Sequence, residues 1–166
     1  MKYTADICDS NEKFLESGKI RVLSPVFKSY GKKKFISGEI LTVKAIEDNS
    51  LVRSSLELPG NGRVLIVDGA GSERCALLGG ALGKIAENNG WSGVIVYGCI
   101  RDSHEIIQCD IGVWALATHP KKSKKKGVGT VGDVIEIRGA RIFSEEFCIA
   151  DEDGILISSV HCDKLV

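Results

Sequence analysis

Apolar residues along this chain follow two rhythms. Up to about residue 118 they come mostly in short unbroken runs, and from residue 134 onward they alternate with polar ones. Val64-Leu65-Ile66-Val67, closed by Asp68-Gly69, is a run of the length and type of a strand covered on both faces. Residues 93–100 and 111–118 repeat the type. Between the first two runs, Gly79-Gly80 opens a helical stretch with Leu82, Ile85 and Ala86 on one side, which stops at Asn89-Gly90. Strand, helix, strand at this spacing predicts a parallel crossover unit. Upstream, Thr4 caps a predicted first helix carrying Ile7, Phe14 and Leu15 that ends near Gly18. Residues 38–46 read as a strand, and Asn49-Ser50 start a short helix ending before Pro59-Gly60.

Downstream, residues 134–143 alternate around Gly139, and residues 150–158 pivot on Asp153-Gly154, so antiparallel hairpins are expected there. The fold class is therefore α/β, with a central crossover unit and an antiparallel C-terminal part packed on it. A length of 166 residues suits one domain over residues 1–166.

Charge narrows the function. Lys plus Arg and Asp plus Glu both number 22, so no global field draws the chain to nucleic acid or an anionic membrane, and direct nucleic-acid binding is not expected. Neither a signal-type apolar leader nor a membrane-length apolar run occurs, which predicts a cytoplasmic protein. Six cysteines without a CxxC motif lie among apolar neighbours and read as reduced thiols, and His104, His119 and His161 show no zinc-ligand spacing with them.

The candidate chemistry lies where strands end. Ligands of α/β sheets gather beyond the carboxyl ends of parallel strands, and Arg101-Asp102 follow such an end. Gly79-Gly80 leave amides exposed at the positive end of the next helix, a cradle for an anion. GGALG lacks the GxGxxG spacing of a dinucleotide site, and Lys84 is not placed as in a P-loop. A carboxylate suits the cradle and the Arg101 guanidinium, whereas Asp102 repels it unless a cation intervenes; Mg²⁺, commonly held by one or two carboxylates plus water and substrate oxygens, meets that need. The combination describes an electrophilic site for a small 2-oxo acid.

Gly80, twenty residues, Arg101-Asp102, two residues and Glu105 form a G-x20-R-D-x2-E pattern. With "VLIVDGAGSERCALLGG", "NNGWSGVIVYGCIRD", "CDIGVWALATHPKKS" and "ADEDGILIS" in order, it resembles the RraA-like family of ribonuclease E activity regulators and class II pyruvate aldolases. The resemblance implies a swivelling β/β/α-type domain, a homotrimer, and a divalent-metal-dependent lyase that cleaves 4-hydroxy-4-methyl-2-oxoglutarate to pyruvate and decarboxylates oxaloacetate through a pyruvate enolate. Carried over, the backbone of Gly79, Gly80, Ala81 and Leu82 and the Arg101 side chain hold substrate; Arg101 also stabilises the enolate. Asp102 ligates Mg²⁺ or Mn²⁺, and Glu105 partners water on the metal. Better aldolases of the family carry aspartate where this chain has Gly80, which implies decarboxylation as the main activity. Regulators of the family can lack the counterpart of Asp102, so its presence here favours chemistry. Asp151 and Asp163 are candidates for an acid that relatives lend to a neighbouring subunit.

The alternative is a non-catalytic regulator docking on a ribonuclease or RNA helicase. Its local support is the basic run Lys121-Lys122-Ser123-Lys124-Lys125-Lys126, which no aromatic residue interrupts, so base stacking is not implied. Asp151-Glu152-Asp153-Gly154 lacks EF-hand spacing and reads as a turn; Asp68 reads as a turn former and His104 as an ordinary polar residue.

Overall fold

The computed structural model describes residues 2–165. In chain order the elements are helices α1 (Thr4–Ser10) and α2 (Glu12–Glu16), strands β1 (Ile20–Val22), β2 (Lys28–Ser29) and β3 (Ile36–Lys44), helix α3 (Ser50–Leu56), strands β4 (Val64–Asp68) and β5 (Ala76–Leu78), helix α4 (Gly80–Asn88), strand β6 (Gly93–Ile100), helix α5 (Ser103–Ile106) and strand β7 (Gly112–Thr118). Short strands β8 (Thr130–Val131), β9 (Ile135–Ile137), β10 (Ala140–Ile142), β11 (Phe147–Ala150) and β12 (Ile155–Ser158) follow, then a 3₁₀ turn at Cys162–Lys164.

The predicted apolar runs form the centre. β3, β4, β6 and β7 lie side by side and parallel, with Leu65 opposite Val94 and Val94 opposite Val113. β4 and β6, at the centre of this ladder, bury both faces almost throughout, which explains why their sequences do not alternate. On one face Val43, Leu65, Val67, Val94 and Val96 pack against Val52 and Leu56 of α3 and Leu82 and Ala86 of α4. On the other, Ile40, Val64, Ile66, Ile95 and Trp114 meet Ile135, Ile137 and Ile142 of the β9–β10 hairpin and Cys148, Ala150, Ile155 and Ile157 of β11 and β12. A third cluster, with Ile7, Ile20, Ile149 and Leu156, seals the outer face of the antiparallel strands. Removing any of these aliphatic side chains from water contributes about 1.5–3 kcal/mol.

The antiparallel C-terminal part thus packs on the parallel part as expected, and it is also hydrogen-bonded to it. The first half of β3 pairs with β11 (Ser37 opposite Ile149), and its second half pairs with β4 (Leu41 opposite Leu65). One strand therefore belongs to both layers.

Three local expectations are corrected. The first helix is two, because Asn11 turns its side-chain amide onto Ile7 O at 2.8 Å and takes φ −130°, ending α1 before Phe14 and Leu15 are reached. Thr4 lies inside α1 rather than capping it, and its amide and hydroxyl donate to Asp151 at 2.6 and 2.7 Å. Asn49 precedes α3 as predicted, but the side chain that accepts the Ser50 amide is Asp48 at 2.9 Å.

β5 was not foreseen, and it positions the site. β4 ends at Asp68 opposite Tyr97, while β6 runs on to Ile100. β5 takes over the vacated edge, pairing Ala76 with Cys99 and Leu78 with Ile100, and Arg101 N then donates to Leu78 O at 2.9 Å. Gly79, one residue beyond Leu78, is thereby laid beside Arg101.

Candidate active site

Arg101 and Asp102 leave β6 at its carboxyl end. Asp102 takes a left-handed conformation (φ 54°, ψ 44°), which aspartate tolerates better than most residues. That turn does two things. Its carbonyl accepts the amides of Glu105 and Ile106 at 2.8 and 3.0 Å, which starts α5. Its carboxylate folds back on the start of α4, where Oδ2 accepts the Gly80 amide at 3.1 Å. Oδ2 also lies 3.9 Å from Arg101 Nε. The Arg101 and Asp102 side chains remain 40% and 38% exposed, so this pair adds little to stability and leaves both charges open to a ligand.

The double glycine is required by these neighbours. A Cβ on Gly79 would come within 2.9 Å of Asp102 Oδ2 and 3.4 Å of Arg101 Nε. On Gly80 it would fall 1.9 Å from Glu105 Oε2. The exposed Glu105 carboxylate therefore rests over the bare backbone at the N-terminus of α4, the end of a helix that favours negative charge. The first turn leaves the amides of Ala81 and Leu82 without intrahelical acceptors. Of the predicted substrate cradle, one amide differs from expectation: Gly80 N–H is engaged by Asp102, so a bound anion shares or displaces that bond.

Gly79, Gly80, Arg101, Asp102 and Glu105 are thus brought to one shelf. Other candidates are not. Asp151 is buried and accepts from Thr4, Asp153 and Gly154. Burial works to raise its pKa, but those hydrogen bonds outweigh it and hold the carboxyl below its usual range. Its oxygens are committed to the turn that joins β11 to β12, which removes it as an acid lent to another subunit. Asp163 is exposed and lies 3.1 Å from His161 Nδ1. Asp68 forms a turn by accepting the Ala70 amide at 2.9 Å, as read from the sequence. His104 is largely exposed, with Nε2 3.7 Å from Glu105 Oε1.

One neighbour of the shelf was passed over. His119 N donates to Ile100 O at 2.8 Å, which sets His119 next to Arg101, and its Nδ1 accepts the Lys121 amide at 3.1 Å. The available signal was its place just past the apolar run of residues 111–118.

A metal is compatible with this shelf only in one mode. Among the described residues no group of three or more His, Cys, Asp or Glu side chains is gathered as a metal cage, and all six cysteines are free. Asp102 has one oxygen steered by Gly80 N–H and the other without a donor among the described residues. A single carboxylate of that kind fits Mg²⁺ or Mn²⁺, which keep waters and bind substrate oxygens, and does not fit a protein-enclosed zinc.

Layered β/β/α architecture and a carboxylate, guanidinium and amide shelf beyond parallel strands define the class, a mixed α/β protein with an exposed polar shelf at the strand ends. Residues 4–157 match the RraA-like family (Aldolase/RraA). The chain belongs to that family. It is 52% identical over 157 residues, covering 95% of each chain, to an Arabidopsis thaliana protein named as 4-hydroxy-4-methyl-2-oxoglutarate aldolase 2. A solved structure described as the RNA-processing inhibitor RraA from Thermus thermophilis superposes with TM-score 0.89 at 42% identity, covering 95% of this chain and 93% of that one. Another, described as an S-adenosylmethionine:2-dimethylmenaquinone methyltransferase from Geobacillus kaustophilus HTA426, gives TM-score 0.89 at 47% identity over 98% and 97%. Three names for one fold leave the choice among them to the residues of the shelf. Among the described residues no helix is long and apolar enough to cross a membrane.

Proposed function

We propose that this chain is a lyase of 2-oxo acids that cleaves 4-hydroxy-4-methyl-2-oxoglutarate to two pyruvates and decarboxylates oxaloacetate, both through a pyruvate enolate. The observation that carries the reading is the convergence at Asp102 Oδ2, 3.1 Å from Gly80 N and 3.9 Å from Arg101 Nε. The 52% identical relative named as such an aldolase supports it.

Asp102 is the residue to hold Mg²⁺ or Mn²⁺, and the cation supplies Lewis acidity toward the 2-oxo carboxylate. Arg101 binds the substrate with a charge that never titrates, and offsets the negative charge that grows on the oxo oxygen as the carbon–carbon bond breaks. The amides of the first turn of α4 orient the carboxylate. Glu105 rests over Gly80 and orients water at the shelf, where an alcohol proton must leave in retro-aldol cleavage but not in decarboxylation. Because residue 80 is glycine, no side chain on α4 adds a second acid, and we take decarboxylation to be the stronger activity. The reading includes a homotrimer, in which a neighbouring subunit closes the open side of the shelf, and a cytoplasmic setting.

The test is pyruvate release from oxaloacetate with Mg²⁺ present or chelated, in wild type and Asp102→Ala. Metal-dependent release that disappears in the variant supports the lyase; no release from wild type overturns it. A regulator reading draws on the similarity to the Thermus RNA-processing inhibitor. It gains if turnover is absent and the chain binds a ribonuclease or RNA helicase.

A further inference from the structure

A cavity of about 380 Å³ lies between the segment joining β1 to β2, Trp114 of β7 and the turn joining β11 to β12. None of its lining residues belongs to the shelf, and its volume falls in the range of small-molecule sites. Leu23 and Phe27 give it an apolar wall, and the Phe27 ring packs against Tyr97 with centroids 6.2 Å apart. Trp114 lines it as well, although the residue is only 2% exposed. A buried indole N–H usually finds a partner; that of Trp91 donates to Leu58 O at 3.1 Å. The Trp114 N–H meets no acceptor among the described residues. Among those residues Arg21 Nε is the only fully buried side-chain N or O without a partner, so the Trp114 N–H is not sealed in but opens on the cavity it lines.

The opposite side carries Asp151, Glu152 and Asp153, and no Lys or Arg is among the described lining residues. Asp151 keeps its charge: burial works against it, but neutral donors on Thr4, Asp153 and Gly154 hold its carboxyl below the usual range. Glu152 and Asp153 are exposed. This negative charge is unmatched. A divalent ion does not match it, because the Asp151 oxygens are spent and the described residues include no gathered set of three metal-binding side chains. An organic ammonium does, since it needs a negative field and an aromatic face and no coordination shell.

We propose that this cavity binds a small primary amine whose apolar body ends in a hydrogen-bond acceptor. The acceptor takes the Trp114 N–H at the buried end, the body lies on Leu23 and Phe27, and the ammonium stays at the lip with Glu152 and Asp153. A lysine of another protein carries its cation at the tip and brings no acceptor to Trp114, so the fit is to a free amine. The site does not depend on the lyase reading.

The probes are tyramine, 4-ethylphenol, which lacks the ammonium, and phenethylamine, which lacks the hydroxyl. Each is titrated calorimetrically into wild type, Glu152→Gln/Asp153→Asn and Trp114→Phe. Wild type is expected to bind tyramine about 10-fold more tightly than either relative. Neutralising the lip is expected to weaken both amines by about 3- to 10-fold and to leave 4-ethylphenol unchanged. Trp114→Phe keeps a ring and deletes the donor, and is expected to weaken both phenols by about 3- to 10-fold while sparing phenethylamine. Thermal melts check that the variants fold; should Trp114→Phe fail, the wild-type comparison and the lip variant still decide. Absence of tyramine binding, equal affinity for the three probes, or variants that weaken all three alike overturn the proposal. So does n-butylamine, the tip of a lysine side chain, binding as tightly as tyramine, since the cavity would then serve a protein's lysine. None of these readings involves pyruvate release, so this inference and the lyase reading fail separately.

Discussion

Gly80 and Asp102, twenty-two residues apart, are joined by a hydrogen bond of 3.1 Å from backbone amide to Oδ2. The bond gives Asp102 two duties that substitution can separate. Asp102→Asn keeps an oxygen to accept the Gly80 amide, so thermal stability is expected to stay within about 1 kcal/mol of wild type. It removes the anion that a cation needs. Oxaloacetate turnover is expected to fall by more than about 100-fold, beyond the roughly 10- to 100-fold typical of groups that only support a metal ligand. Thermal unfolding and pyruvate release, measured on one preparation, check both halves.

Gly80→Ala probes the other side of the same backbone. Its Cβ would meet Glu105 Oε2 at 1.9 Å and Glu105 Cβ at 2.8 Å, and the exposed Glu105 side chain is the partner free to move. Turnover is expected to drop about 10-fold, with a loss of stability of about 1–3 kcal/mol because Glu105 Cβ, unlike the carboxylate, is held by the α5 backbone. In a Glu105→Gly background, which removes every contacting side-chain atom including Cβ, the same substitution is expected to cost much less, because residues in contact couple non-additively. Additive losses in the double variant would show that Gly80 acts through something other than Glu105.

Asp48 predicts an acid limb of stability. It is buried, and accepts from Ser50 N and Oγ at 2.9 and 2.7 Å and from Lys126 N at 2.6 Å. Burial pushes its carboxyl up, but the Ser50 hydroxyl and the amides of Ser50, Lys126 and Val128 prevail and bring it from 3.8 to about 2. Because the folded value is the lower one, this stabilisation is complete above about pH 4 and is lost as pH falls through about 2. Asp48→Ala strands three close donors, a cost of roughly 2–4 kcal/mol, or about 5–12 °C in melting temperature. The stability gap between wild type and this variant, followed by denaturant melts across the pH range, is expected to be flat near neutrality and to close in strong acid.

Much of this arrangement is legible in the sequence, for reasons that differ by residue. β4 and β6 stand out because strands buried on both faces must be apolar without interruption, and Gly79-Gly80 and Arg101-Asp102 stand out because each breaks such a pattern at an element end. β5 does not, since three residues are too few for any period, and its role depends on β6 outrunning β4. The split between α1 and α2 depends on which carbonyl the Asn11 amide chooses. Asp151 looked available as an acid because its turn sequence does not reveal that Thr4, 147 positions away, consumes its oxygens. The contact between Gly80 and Asp102 exists only because Asp102 turns left-handed, a conformation that its residue type permits without announcing.

Arg101→Lys asks whether a positive charge alone suffices at the shelf. Lysine preserves the charge and much of the length, so electrostatic attraction of an anion survives. What it lacks is the planar fork that offers several N–H donors at once and holds a carboxylate or an oxo oxygen in a set orientation. In the structure Asp102 Oδ2 lies 3.9 Å from Nε, too far for a hydrogen bond, so the pair is a through-space attraction and the guanidinium stays open to a ligand. An ammonium group on a flexible stem has no equivalent of Nε and is free to move onto Asp102 itself, competing with the cation for the carboxylate. The expected result is therefore a drop in kcat of about 100-fold for oxaloacetate, with a KM change of only a few-fold, because the interaction removed is stronger in the transition state than in the bound substrate. Steady-state kinetics over a range of Mg²⁺ concentrations check it, and a raised Mg²⁺ requirement in the variant would mark the competition for Asp102. A lysine variant as active as wild type would mean that Arg101 supplies field and not orientation, and the enolate would need another donor.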